Sequence, residues 1–251
     1  MHNTYFNYTK NLSASKKAYL IKEAGFSGVF LYYSKDIDEE AKIVREHGLD
    51  IEAIHLDVLN CNHLWLDTLD GEEYINITKA GIKAASRNNI KTVVFHISSK
   101  DNPPKYNELG LNRLRDILDL CEELDVNFAL ENLRRLDYLD YIFDNLNSNK
   151  LKFCFDSGHA NAYTKNIENF EFEKYSDKLI CVHFSDNFGN HDSHLIPLTG
   201  NIDWKKLAKN LKSIKFNGPL TSEAIIDAKK DPLTELRKIK KSLEIIEEYL
   251  K

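Results

Sequence analysis

Short apolar runs rich in β-branched and aromatic residues alternate along the chain with longer segments in which apolar positions recur every three or four residues. The first kind reads as buried strands and the second as amphipathic helices, and their regular alternation marks repeated βα units around a parallel sheet. The runs predict strands over Thr4 to Tyr8, Gly28 to Tyr32, Ile51 to His55, Thr92 to His96, Val126 to Glu131, Leu151 to Asp156, Leu179 to His183 and Leu220 to Ala224. Helical stripes are clearest in Leu111, Leu114, Ile117, Leu118, Cys121 and Leu124, and in Leu236, Ile239, Leu243, Ile246 and Leu250. Asp231-Pro232 announces the second of these as an N-cap followed by a first-turn proline. Further helices are predicted near Ser15 to Ala24, Asp38 to His47, Gly71 to Asn89, Asp137 to Leu146, Glu168 to Tyr175 and Trp204 to Leu211.

Eight such units in 251 residues match a single (β/α)8 TIM barrel of class α/β, one domain over residues 1–251. A doubly wound open sheet is the alternative, but no glycine-rich phosphate loop follows the early strands to favour it. The barrel gives meaning to the residues that close the strands. His55 ends IEAIH, His96 ends TVVFH, Glu131 ends NFALE, Asp156 ends KFCFD, His183 ends ICVH, and Glu223 lies in PLTSEA. In a parallel barrel all C-terminal strand ends open on one mouth, so these side chains are expected to converge.

A lone His or Glu at a strand end is ordinarily a hydrogen-bonded cap or packing group. Carboxylates closing apolar strands are harder to explain that way, because each costs several kcal/mol when buried without a partner. A divalent cation would compensate Glu131, Asp156 and Glu223. Mixed carboxylate and imidazole donors suit Zn²⁺ or Mn²⁺ first, with Co²⁺, Fe²⁺ and Mg²⁺ also compatible, ahead of Ca²⁺.

The same chemistry is concentrated in CVHFSDNFGNHDSHLIPLTGNIDW, residues 181–204, where Asp186, His191, Asp192 and His194 follow His183. Upstream, Asp156-Ser-Gly-His159 sets an imidazole three residues past a carboxylate, with Gly158 permitting a sharp turn. His2, His47, His63 and His191 read as surface or packing residues. The four cysteines, Cys61, Cys121, Cys154 and Cys181, show no paired spacing and read as buried thiols of a reducing compartment. With no apolar run long enough for a signal peptide or membrane span, a cytoplasmic location is expected. A net charge of −5 gives no general attraction for nucleic acid.

EAGFSGVFL near the second strand, LENL at Glu131, FDSGHAN at Asp156, VHFSDN…DSHLIPLTGNIDW and GPLTSEA at Glu223 together resemble the xylose isomerase-like TIM barrels. That group includes sugar phosphate isomerases and epimerases, ketohexose 3-epimerases and the endonuclease IV type of apurinic (AP) endonuclease. In its epimerase branch the resemblance implies one divalent metal held by Glu131, Asp156, His183 and Glu223. Glu131 and Glu223 would be the acid and base on opposite sides of a small sugar, sugar phosphate or cyclitol. His159, Trp65, Asp186 and Arg134 would contact that substrate. In the endonuclease branch it implies a three-zinc site, to which His55, His96, His159, Asp192 and His194 would add. The mouth loops give mixed signals for DNA, since Lys100, Lys105, Arg134 and Arg135 are offset by Asp101, Glu108 and Asp137. Sugar isomerisation or epimerisation is therefore the leading expectation and phosphodiester hydrolysis the alternative, followed by a barrel that binds a metal or ligand without turnover. A homo-oligomer is compatible with the sequence.

Overall fold

Period-two burial decides where each strand sends its side chains. In β5 (Asn127–Glu131) Phe128 and Leu130 point outward to the helices, while Ala129 and Glu131 point into the barrel. The same phase holds in β4 (Thr92–Phe95), β6 (Leu151–Asp156) and β7 (Leu179–Phe184). There the outward residues are Val93 and Phe95, Phe153 and Phe155, and Val182 and Phe184, whereas Val94, Cys154 and Cys181 face inward. These strands join β1 (His2–Tyr5), β2 (Gly28–Tyr32), β3 (Asp50–His55) and β8 (Leu220–Ser222) in a closed parallel barrel in which each strand pairs with the next and β8 returns to β1. The computed structural model describes residues 1–9, 12–164, 167 and 170–251.

Two apolar layers follow from this phase. The larger lies between strands and helices; the smaller fills the lumen with Phe30, Ala53, Val94, Ala129, Cys154 and Cys181. The lumen layer sits two residues below the strand-end positions 55, 96, 131, 156 and 183. It thus forms a dry floor beneath them. All four cysteines are free and buried.

The outer ring comprises α1 (Ala14–Glu23), α2 (Ile37–Glu46), α3 (Leu69–Arg87), α4 (Glu108–Leu124), α5 (Leu136–Asn145), the short turn α6 (Ser157–His159), α7 (Phe172–Tyr175), α8 (Trp204–Ser213) and α9 (Pro232–Leu250). Several start on a side chain that accepts an orphan backbone N–H, as Thr68 does for Gly71, Asn107 for Gly110 and Asp231 for Thr234. Among the described residues no helix is long and apolar enough to cross a membrane.

Observed boundaries differ from the pattern-based ones mainly at the ends. β1 begins at His2 and stops at Tyr5; Phe6 still donates its N–H to the Phe30 carbonyl at 3.1 Å, and the chain then turns while Phe6 and Tyr8 stay buried. α7 starts at Phe172; the predicted start at Glu168 lies outside the described residues.

Trp65 closes a 3-10 turn, Cys61–Trp65, and is buried. Its indole N–H donates to the Ile97 carbonyl at 2.7 Å, and its ring meets Tyr138 edge-on at 5.5 Å. Arg113 fixes the same turn by donating to the carbonyls of His63, Leu64 and Leu66. The expected sugar contact of Trp65 is thereby corrected: the ring is spent on packing the β3–α3 connection against α4. The packing leaves no room at Gly110, where an added Cβ would lie 2.1 Å from Trp65 Cε3. Gly110→Ala gains about 0.5–1 kcal/mol of helix propensity, and overpacking costs about 1–3 kcal/mol, so the clash should win. Urea unfolding should show a lower midpoint for this variant; an unchanged or higher midpoint would mean that Trp65 yields freely.

Candidate active site and metal centre

The strand phase that puts small side chains in the lumen puts His55, Glu131, Asp156 and His183 at its upper rim, all essentially inaccessible to solvent. His96 follows β4 directly, and Glu223 leaves β8 with its backbone N–H still bonded to the Phe184 carbonyl at 2.9 Å. His159 arrives by α6, whose N-cap is Asp156 itself. Gly158 is required there, since an added Cβ would sit 2.2 Å from Ser185 Oγ and 2.9 Å from Asp192 Oδ1. The structure gathers all nine strand-end and loop candidates, His55, His96, Glu131, Asp156, His159, His183, Asp192, His194 and Glu223, in one mouth.

Glu131 is the hub. His55 Nε2 and His96 Nε2 donate to its Oε2 at 3.0 and 2.7 Å, and His183 Nδ1 donates to its Oε1 at 3.0 Å. His183 Nδ1 also lies 3.4 Å from Glu223 Oε2. A second knot is built on Asp192, whose Oδ2 lies 3.3 Å from His159 Nε2 and 3.1 Å from His194 Nε2. The other ring nitrogens of these two histidines face carbonyls, Asn132 O at 3.0 Å and Glu223 O at 3.1 Å respectively. His194 takes a left-handed φ of 45°, a conformation that costs a non-glycine residue about 1–3 kcal/mol.

The electrostatics follow from crowding carboxylates in a dry place. Burial pushes Asp156 well above the ordinary carboxylate range, and the neighbouring charges of Glu131, Glu223 and Asp192 add to the shift against the opposing pull of His159. Burial is the largest single influence on Glu131 and Glu223 and would raise both, but His183 together with His55 and His96 at Glu131, and with His194 at Glu223, outweighs it, holding Glu131 well below the usual range and Glu223 at about 2. The imidazoles answer in kind. Burial disfavours the charge on His183, His159 and His194, yet the carboxylates around them win, raising the first two well above the ordinary value and His194 to about 10. His96 is the exception: burial prevails over its bond to Glu131 and lowers it to about 4.

Several carboxylate oxygens remain without a hydrogen-bond partner despite this, namely Asp156 Oδ2, Asp192 Oδ1 and Glu223 Oε2. Buried lone pairs of that kind call for a cation. Glu131, Asp156, His183 and Glu223 can each offer one donor atom, all within 4.8 Å of one another, and His55, His96 and Glu131 form a second such group. The residues therefore fit a divalent ion.

Above the centre lies a cavity of about 360 Å³ bordered by Tyr32, Arg134, Tyr163, Asp192, His194 and Glu223 among others. Tyr32 stacks on His55 with centroids 4.7 Å apart, and Tyr163 stacks on His159 at 5.5 Å. The Arg134 guanidinium lies 3.8 Å from the Tyr163 centroid, with Nε donating to Asp101 at 2.9 Å. Neither tyrosine was singled out from the sequence, because a tyrosine closing GVFLY looks like any strand aromatic; its place at a strand end was the available signal.

Asp186 does not reach this cavity. It is fully buried, its carboxylate accepts the Trp204 indole N–H at 2.8 Å and the Asn187 N–H at 2.9 Å, and its backbone pairs with Leu195 in an antiparallel bridge. The expected substrate contact is thus corrected to a staple that shapes the β7–α8 loop and so presents Asp192 and His194.

Comparison with known proteins agrees with this architecture. The chain is 24% identical over 249 residues to the uncharacterized protein y4fM of Sinorhizobium fredii, covering 83% of this chain and 80% of that one. A solved structure of a D-tagatose 3-epimerase-like protein superposes with a TM-score of 0.78 at 23% identity, covering 100% of this chain and 97% of the other. D-psicose 3-epimerase from Clostridium cellulolyticum H10 superposes with a TM-score of 0.80 at 15% identity, covering 100% of each. At these identities the likeness speaks for the fold. The profile of the xylose isomerase-like TIM barrel matches residues 18–249, and the chain belongs to that family.

Proposed function

We propose that this chain is a divalent-metal-dependent isomerase or epimerase of a small sugar, sugar phosphate or cyclitol, working by proton transfer beside a carbonyl. The observation that carries this reading is the convergence of Glu131 and Glu223 with Asp156 and His183 beneath a cavity of about 360 Å³, within the range of small-molecule sites. The names of the epimerases that share the fold support the same reaction class.

Glu131, Asp156, His183 and Glu223 would hold the ion, with Zn²⁺ or Mn²⁺ best matched to the donors. When bound, the ion draws electron density from a carbonyl and its neighbouring hydroxyl and so acidifies the C–H between them. The rest falls to the protein. Glu223 borders the cavity and its Oε2 makes no hydrogen bond, so it is placed to accept the proton; Glu131, held as a carboxylate by the three imidazoles bonded to it, returns one from the other side once a proton has reached it along those hydrogen bonds. Tyr32 and Tyr163 offer flat walls to a sugar ring, and the lumen layer keeps water from below.

A second reading has its own observation. The group His55, His96 and Glu131, together with Asp192 between His159 and His194, supplies donors that one ion does not need. Two or three zinc ions there would suit phosphodiester cleavage, as in an AP endonuclease.

Glu131→Gln and Glu223→Gln should each lower turnover by at least about 100-fold, the scale of general acid–base catalysis, while circular dichroism stays native. The assay is solvent deuterium incorporation into a ketohexose and cyclitol panel, and full turnover in both variants would sink the mechanism. Metal analysis with an abasic duplex separates the readings: about one ion per chain with deuterium exchange supports the first, whereas about three zinc with strand nicking supports the second.

Ion binding should also release protons. His183, the imidazole among the proposed ligands, is raised by Glu131 and Glu223 against its burial and carries a proton near neutrality, so an ion must displace it. Affinity should therefore rise with pH and fall as the solution is acidified. Titration calorimetry in buffers of different ionisation enthalpy should report proton release; a pH-independent affinity would contradict this exchange. Stripping the ion with a chelator should abolish turnover and readdition restore it.

A further inference from the structure

The reaction cavity is not closed on the β3 side. Tyr32, Val58 and Leu59 border it and also border a second, larger cavity of about 600 Å³ that continues over Tyr33 to Ile77 on α3. The floor of this neighbour is apolar. Leu59 is 82% exposed and Ile77 37%, among the large apolar side chains that the described surface leaves to water. Polar groups stand at its edge, namely Ser34, Lys35 and Asp57.

The exposure of Leu59 is built in. Asp57 accepts the Leu59 N–H at 2.9 Å and an Asn60 side-chain N–H at 2.7 Å, and the Tyr74 hydroxyl donates to the Asp57 carbonyl at 3.2 Å. The following turn is pinned by Trp65 and Arg113. Holding a leucine out in water on a fixed loop forgoes the stabilisation its burial would bring, and an apolar patch rimmed by polar groups beside a reaction chamber is the pattern of a ligand groove.

We propose that this cleft is a specificity subsite for a ring-shaped substituent on the sugar, so that the preferred substrate is a glycoside and not a free monosaccharide. The inference rests on the sugar reading above. Its occupant has an apolar face and a polar perimeter: the face lies on Tyr33, Leu59 and Ile77, and hydroxyls or linking oxygens meet Ser34, Lys35 and Asp57. A second sugar ring and an aromatic aglycone share that chemistry. A substituent at the anomeric carbon locks the sugar ring and removes the open-chain carbonyl, so the substrate must arrive with a ketone already on a ring carbon, and the proton to be moved lies beside that ketone. Epimerisation there needs only removal and return of one proton, with no further reactant.

The test uses the Mn²⁺-loaded chain and titration calorimetry with methyl β-D-glucopyranoside, phenyl β-D-glucopyranoside and cellobiose, in the wild type, Leu59→Ser and Ile77→Asp. Both substitutions fall on exposed side chains, and native circular dichroism confirms folding. One of the two larger ligands should bind about tenfold tighter than the methyl glycoside, the scale for burying one ring face, and both variants should lose most of that advantage. A gain for the phenyl compound alone assigns an aromatic aglycone, and a gain for cellobiose alone a second sugar. Equal affinities, or an advantage that survives both substitutions, overturn the subsite even where deuterium exchange into free ketohexoses upholds the sugar chemistry. No glycoside binding together with no exchange overturns both. A wild-type dimer that Leu59→Ser dissociates in sedimentation would give the patch to a second copy of the chain and also overturn the subsite.

Discussion

Charge without solvent is the constraint on which this structure turns. Glu131, Asp156, Asp192 and Glu223 are held together where water barely reaches, and isolated carboxylates in such a place are untenable. The barrel resolves the conflict with imidazoles. Glu131 takes three, Asp192 takes two, and His183 is shared with Glu223. The rings of His183, His159 and His194, raised enough to hold a proton, thereby do the work that a cation would do better, and the oxygens left bare on Asp156, Asp192 and Glu223 mark where the substitution is incomplete. Protons and a metal compete for one set of electron pairs, which links acidity to ion occupancy.

The floor under this centre is as much part of it as the donors. Ala53, Val94, Ala129, Cys154 and Cys181 are small enough to let eight strands close, and Phe30 fills what remains while its ring stacks 4.6 Å from His183. Above so dry a layer the donors cannot relax toward water on that side, and their geometry is inherited from strand register. The loops then act as fine adjustment: the Asp186 staple and the left-handed turn at His194 aim the second knot at the first.

Much of this was legible from the chain alone because two patterns carry it. Short apolar runs marked the strands and three-to-four-residue stripes the helices, and because all strand ends of a parallel barrel open on one mouth the convergence of His55, His96, Glu131, Asp156, His183 and Glu223 followed from the fold class. What escaped was chemistry that depends on a partner. Trp65 and Asp186 have the residue types of a sugar site, but an indole or carboxylate that spends its hydrogen bond in the interior looks the same in a sequence as one that faces a ligand. Tyr32 and Tyr163 failed in the other direction: the first passed as a strand aromatic and the second drew no notice, yet both line the cavity. The first strand was misplaced for a related reason, since Phe6 and Tyr8 stay buried past the point where the strand ends.

The donors of the centre come from β3, β5, β6 and β7 and from the residues just after β4 and β8, so hardly any two of them are neighbours in sequence. An ion seated among them would span the sheet as a clasp. No early fragment of the barrel could hold it, because the last donor, Glu223, arrives only when β8 closes against β1. Occupancy would then stabilise the complete circle and nothing short of it. The mouth residues would act on the lifetime of the native state as well as on its chemistry, and the seam between the first and last strands is where that lifetime would be decided.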